Sequence, residues 1–178
     1  DRLVYTSSTG VYGDHNGAWV DETTSIDPTT ERQEILLEAE RLALQDAESR
    51  GISGTVVRFG GLYGPDRYPI DRYLDGPVTD KYLNLTHRDD AAGAVAFLLE
   101  RDLGRGEVLL VVDEEPVAKP DLARWLAEGV ETEAPPIQTI EEALQAENVP
   151  DGARNRIAAD KRCSSTKLRE LGYEFEYP

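Results

Sequence analysis

The chain has 178 residues, of which 39% are apolar and 30% charged, and it carries a formal net charge of −16. That length holds one domain, or one domain with a small lobe, and the acidic balance argues against nucleic acid or an anionic membrane surface, both of which need a basic footprint. No apolar run approaches the ~20 residues of a membrane span, and no leader precedes the first strand, so the sequence reads as a cytoplasmic protein.

Leu3-Val4-Tyr5-Thr6-Ser7-Ser8 is an apolar run turning polar, as a parallel strand does where it leaves its sheet. Residues 13–28 read as loop, with Gly13, Gly17 and Asp27-Pro28 as turn signals and Trp19-Val20 pinning the loop to the body. Thr30 and Gln33 form a capping-box signal for a long helix reaching about Arg50, with Ile35, Leu36, Ala39, Leu42, Ala43 and Ala47 on its apolar face and Gly51 at its end. Gly54 to Phe59 is the next strand, so strand, helix and strand make one right-handed crossover. Residues 66–88 are rich in Asp, Tyr and Pro and read as an irregular lobe. Asp89 or Asp90 is expected to cap a helix over 91–100, and Glu107 to Val112 is a further strand. Short helices are expected over 121–127, 140–147 and 165–171.

The 35 acidic residues are spread along the chain, and only Lys81, Lys119, Lys161 and Lys167 among the 19 basic residues are lysines. Spread acid with recurring apolar segments predicts a folded protein from a salt-loving source, more stable in molar salt, where self-repulsion is screened. Cys163 is the single cysteine, so neither a disulfide nor a Cys-x-x-Cys metal site is expected. With His15 and His87 the only histidines and no third ligand beside them, no metal is expected. The chain contains no methionine, even at position 1, and reads as a fragment or a trimmed chain.

Four motifs in order resemble the extended short-chain dehydrogenases/reductases, in their sugar-nucleotide epimerase/dehydratase branch. They are Ser7-Ser8-Thr9-Gly10-Val11-Tyr12-Gly13, Val57-Arg58-Phe59-Gly60-Gly61-Leu62-Tyr63-Gly64-Pro65, Thr86-His87-Arg88-Asp89-Asp90-Ala91-Ala92, and Lys167-Leu168-Arg169-Glu170-Leu171-Gly172-Tyr173. The resemblance implies an α/β fold: the C-terminal half of a Rossmann-like parallel sheet with a small mixed substrate-binding lobe. Residues 1–65 would be the sheet part. Residues 66–178 would hold the lobe and return helix 89–100 and strand 107–112 to the body.

For function, the resemblance implies NAD or NADP as cofactor and a nucleotide-sugar or similar small polar substrate. It places Ser8 as the serine that hydrogen-bonds substrate, with a local backbone bond as the equally weighted structural reading. It places Ser7, Gly60, Gly61 and Leu62 on the cofactor side, with a tight turn between strand and lobe as the other reading of the glycines. It places Arg32, Arg67, Tyr68, Arg72 and His87 on the substrate side, with a charged surface loop as the equally weighted reading of Arg67, Tyr68 and Arg72. The family's Tyr-x-x-x-Lys pair falls on Arg32 and Leu36, while Pro28 and Glu40 keep its flanking landmarks. Arginine stays protonated and cannot serve as the base, so Arg32 either clamps an anion or pairs with Glu31 or a loop carboxylate. The glycine-rich turn that binds the pyrophosphate has no match here, so the cofactor would require an upstream half. In this family the helix at 30–50 is a homodimer contact, with Leu36, Ala39 and Ala43 suited to it, although a core-facing helix would look similar. Two readings follow: an enzyme with a displaced base, or a non-catalytic NAD(P)-sensing or partner-binding protein.

Overall fold

The computed structural model describes residues 1–67, 73–146 and 149–178. Its centre is a three-stranded parallel sheet of β1 (Arg2–Ser8), β3 (Ser53–Phe59) and β8 (Val108–Val111), in that order. Register runs from Arg2 opposite Ser53 to Ser8 opposite Phe59, and from Val56 opposite Val108 to Phe59 opposite Val111. The expected α/β sheet is therefore present, and it takes strands from both sides of residue 65.

Alternation along the strands splits the core into two layers. Leu110 and Val112 face Val11, Tyr12, Val20 and Cys163, with Leu36 and Leu37 of helix α1 (Glu31–Arg41) packed against them. Val57, Leu109 and Val111 face Ala94 and Leu98 on the opposite side. Thr30 caps α1 as its sequence predicts, accepting the Gln33 N–H. The helix then loosens into a π-type segment over Leu42–Asp46 before one more turn, α2 (Ala47–Ser49). The looser turn sits over Gly54, where a Cβ would lie 1.9 Å from the Ala43 carbonyl oxygen, so only glycine lets helix and strand meet.

Beyond Phe59 the chain makes β4 (Gly61–Tyr63), β5 (Val78–Thr79), β6 (Tyr82–Leu83) and β7 (Leu85–His87). Part of the stretch expected to be irregular is thus short strand: β4 pairs with β7 in parallel. Helix α3 (Arg88–Glu100) follows, and its N-cap is His87, whose Nδ1 accepts the Asp89 N–H. This corrects the assignment of the cap to Asp89 or Asp90, which lie in the first turn. The Asp90 carboxylate instead accepts from the Tyr173 hydroxyl and the Glu176 and Tyr177 amides, fastening the C-terminal tail.

After β9 (Val117–Ala118), which pairs antiparallel with β6, helix α4 (Lys119–Gly129) starts earlier than expected, with Pro120 in its first turn. Strand β10 (Ile137–Gln138) runs beside β5, and a capping box at Thr139 starts α5 (Ile140–Gln145). Helix α6 (Asp151–Ala158) was not foreseen. Strand β11 (Arg162–Cys163) pairs with β2 (Trp19–Val20), which is how the long loop is pinned, and α7 (Thr166–Glu170) closes the fold. Among the described residues no helix is long and apolar enough to cross a membrane.

Candidate functional site

Parallel strands present their carboxyl ends together, and ligands of open α/β sheets bind outside those ends. Here β1 and β3 finish side by side, with Ser8 opposite Phe59, so the serine turn and the Gly60-Gly61-Leu62 loop are neighbours although fifty residues apart in sequence. Half-buried Ser8 accepts the Gly10 N–H on Oγ at 3.1 Å, and its own hydroxyl proton stays available for a ligand oxygen.

Beneath the serine turn lies a closed polar network. Arg58 and Glu40, both nearly inaccessible, meet bidentately, with Nη2 to Oε2 at 2.6 Å and Nε to Oε1 at 3.0 Å. Ser7 Oγ donates to Glu40 Oε1 at 2.6 Å, and Arg58 Nη1 donates to the Tyr12 hydroxyl at 2.7 Å. The Tyr12 hydroxyl in turn donates to the Asp21 main-chain carbonyl at 2.7 Å. Burial pushes the Tyr12 phenol above its ordinary value, against the pull of Arg58, so it is no base near neutral pH. Ser7, expected at the cofactor, spends its hydroxyl on this network.

The two positions at which the resemblance would place an acid–base pair diverge. Arg32 is exposed and forms no ion pair with Glu31 or a loop carboxylate among the described residues, whereas Leu36 packs into the core layer under α1. Between them Gln33 turns inward, its Nε2 donating to the Gly10 and Val11 carbonyls at 3.3 Å each. Gln33 thus ties α1 to the serine turn from the residue after Arg32.

Gly60 donates its N–H to Thr86 Oγ1 at 3.0 Å, and a Cβ there would sit 2.4 Å from the Asn84 carbonyl oxygen. The close approach that the glycine permits is therefore to the strand beneath. Gly61 and Leu62 are exposed, and Arg67 folds its Nε back onto the Leu62 carbonyl at 2.9 Å. His87 is buried, stacked on Tyr177 with 3.6 Å between ring centroids and edge-on to Tyr63 at 5.1 Å. Tyr68 and Arg72 lie outside the described residues.

Two residues not singled out from the sequence complete the frame. Asn84 accepts the Gly61 N–H on its carbonyl, donates through Nδ2 to the Lys161 carbonyl, and accepts the Cys163 N–H on Oδ1. Lys161 reaches the other way, its Nζ donating to the Gly13 carbonyl at 3.0 Å. Burial pushes the Cys163 thiol up to about 12, which removes it as a nucleophile. No cluster of metal-ligating side chains occurs among the described residues. The only signal for Lys161 in the sequence is its rarity among the basic residues, which carries no position.

No protein-family model matches the chain. It is 33% identical over 183 residues to the protein YeeZ of Escherichia coli K12, covering 99% of this chain and 59% of YeeZ. The chain thus spans well under two thirds of the curated relatives it matches. A solved structure from Methylobacillus flagellatus, assigned by name to the NAD-dependent epimerases/dehydratases, superposes with a TM-score of 0.77 at 29% identity, over 99% of this chain and 59% of that one. The dTDP-glucose 4,6-dehydratase DesIV of Streptomyces venezuelae, solved with NAD bound, shares the fold at a TM-score of 0.74 and 19% identity, over 99% of this chain and 56% of that one. The chain has the fold of the NAD-dependent epimerase/dehydratase proteins.

Proposed function

We propose that this chain is the substrate-side half of an NAD(P)-binding protein of the sugar-nucleotide epimerase/dehydratase type whose acid–base pair has degenerated. The observation that carries this reading is the placement of Ser8 beside the Gly60-Gly61-Leu62 loop at the carboxyl ends of β1 and β3. When bound, the nicotinamide would supply hydride transfer. The chain's own part would be to present the Ser8 hydroxyl to a substrate oxygen and to hold the serine turn rigid through Gln33, Glu40 and Arg58.

The cofactor would need a further half of the sheet. Among the described strands β1 pairs with β3 alone, leaving its other edge open. Beside that edge runs an apolar groove of about 460 Å³, lined by Thr6, Phe59, Ala91, Ala92, Val95 and Leu99. A further parallel strand would pair with that edge, and its helix would cover the apolar groove.

The homodimer contact would also use a different face of α1 from the one first expected. Leu36 and Ala43 are turned to the interior, while Ile35 and Leu42, seven residues apart, are 61% and 41% exposed. The alternative of a non-catalytic NAD(P) sensor draws on the residue types at positions 32 and 36, where an arginine and a leucine stand and neither can act as a base near neutral pH.

The test is titration of the full-length protein with NAD⁺ and NADP⁺ in molar potassium chloride, with turnover assayed on nucleotide sugars and mass read by light scattering. The enzyme reading expects turnover that falls at least about a hundredfold in Ser8→Ala, with cofactor affinity unchanged. Cofactor affinity without turnover would favour the sensor, and no dinucleotide binding would sink both.

A further inference from the structure

The segment 173–177 forms no helix or strand of its own, yet it is fastened to the start of α3 by two devices. Tyr173 is embedded in an aromatic cluster, edge-on to Phe97 at 5.5 Å and to Phe175 at 5.1 Å. Gly93 makes room for it: a Cβ there would lie 2.6 Å from the Tyr173 hydroxyl. The second device is Asp90, 2% exposed. Its carboxylate accepts from the Tyr173 hydroxyl at 3.0 Å and from the Glu176 and Tyr177 amides at 2.9 Å each. A carboxylate taken from water must be met by donors, and here this segment supplies them.

Those amides deliver the Tyr177 ring to His87. The two rings stack with 3.6 Å between centroids and 29° between planes, and His87 stands edge-on to Tyr63. His87 and Tyr63 are register partners of β7 and β4. Both are tied to the Asp113 carboxylate, which accepts the His87 amide and the Tyr63 hydroxyl. Tyr63 ends the short strand that opens with Gly61 and Leu62, and among the described strands β4 pairs with β7 alone. A line of contacts therefore runs from segment 173–177 through His87 and Tyr63 to the glycine loop. Tyr177, at its outer end, is still 39% exposed, so its ring can be removed without opening the core.

We propose that segment 173–177 is a strap that sets the Gly60-Gly61-Leu62 loop, with Tyr177 as a positioning residue acting through His87 and Tyr63. The proposal rests on the reading of that loop as the cofactor side and adds a control on it. With Tyr177 seated the loop is ordered for a dinucleotide, and with Tyr177 lifted it is looser. Lifting leaves Tyr173 in its cluster and lets water replace the two amides at Asp90, so the strap peels from one end while the fold holds.

The experiment uses the full-length protein and its Tyr177→Ala and Tyr177→Phe variants. Amide hydrogen exchange is followed by mass spectrometry in peptides covering 60–64 and 53–59, and NAD⁺ and NADP⁺ are titrated calorimetrically. Loss of one stacked ring corresponds to about three- to tenfold in an equilibrium. Tyr177→Ala should therefore speed exchange in 60–64 by about that factor, with exchange in 53–59 unchanged. It should weaken the dinucleotide that the wild type binds by a similar factor. Tyr177→Phe keeps the ring and should match the wild type in both measurements. Unchanged exchange in 60–64 overturns the proposal. Equal acceleration in 53–59 also overturns it, since Tyr177 would then serve only global stability. A Tyr177→Phe variant that behaves like Tyr177→Ala removes the ring as the agent and overturns it too, as does faster loop exchange with unchanged dinucleotide affinity. If the wild type binds neither dinucleotide, the cofactor reading fails by itself and exchange alone decides the strap.

Discussion

Along the outer edge of β8, Glu22 accepts the Leu110 amide at 2.7 Å and Lys167 donates to the Val108 carbonyl at 3.1 Å, whereas β1 pairs with β3 on one side and with no other described strand. A bare parallel edge is a template for further pairing, and proteins that mean an edge to stay free usually cover it. This chain covers one edge with its own side chains and leaves the other open beside an apolar groove whose rim includes Leu99, 45% exposed. The difference separates a side closed by the chain's own groups, which should carry its stability, from a side that the proposed function would cover with a further strand and helix.

The sharpest way to break the closed side is Arg58→Met. It strands the Glu40 carboxylate in the interior and removes the Tyr12 contact, and should cost about 3–5 kcal/mol in denaturant unfolding. A loss under about 1 kcal/mol would show that the network contributes little.

Glu22 gives a middle-sized, pH-dependent effect. Burial raises its pKa above the ordinary glutamate value, although the Leu110 amide pulls the other way. The folded state therefore binds its proton more tightly than the unfolded chain. Its contribution to stability is full below the unfolded pKa and is lost as pH rises through the folded one. Glu22→Gln keeps an acceptor for Leu110, so its stability should gain on the wild type across that window, by no more than about 1.4 kcal/mol per pH unit. Parallel unfolding midpoints from pH 4 to 7 would refute the assignment.

The smallest effect belongs to the open side. Leu99→Gln should change the stability of the 178-residue chain by less than about 0.5 kcal/mol. In any form of the protein in which the groove is covered, as the proposed function expects, the same change should cost about 1.5–3 kcal/mol. Equal effects in both forms would leave the groove without an occupant.

Much of this comparison was legible in the chain. The strands 53–59 and 108–111, the cap at Thr30 and the pinning role of Trp19-Val20 follow from local signals that short-range physics makes reliable: apolar runs, a side-chain acceptor two or three residues from an amide, a glycine at a turn. The cap of α3 was misplaced because Asp is the commoner capping residue, and only the fold shows His87 accepting the amide while Asp90 is taken by the tail 83–87 residues away. Which side of α1 faces the core was left open by the sequence, because a core-facing helix and a dimer helix look alike. Leu36 and Ala43 suit either side, and the rotation of the helix, fixed by Gln33 and Gly54, turns them inward.

By itself the sequence determined the parallel α/β framework, the serine turn, the glycine loop and the absence of tyrosine and lysine at positions 32 and 36. These are carried by residue type and by spacing along one segment. The tertiary structure alone decided which distant groups meet: Glu40 with Arg58, Asn84 with the glycine loop, and Lys161 with the Gly13 turn 148 residues away. Burial makes those meetings consequential, because a charge or amide removed from water must find its partner wherever the chain has been folded to supply one.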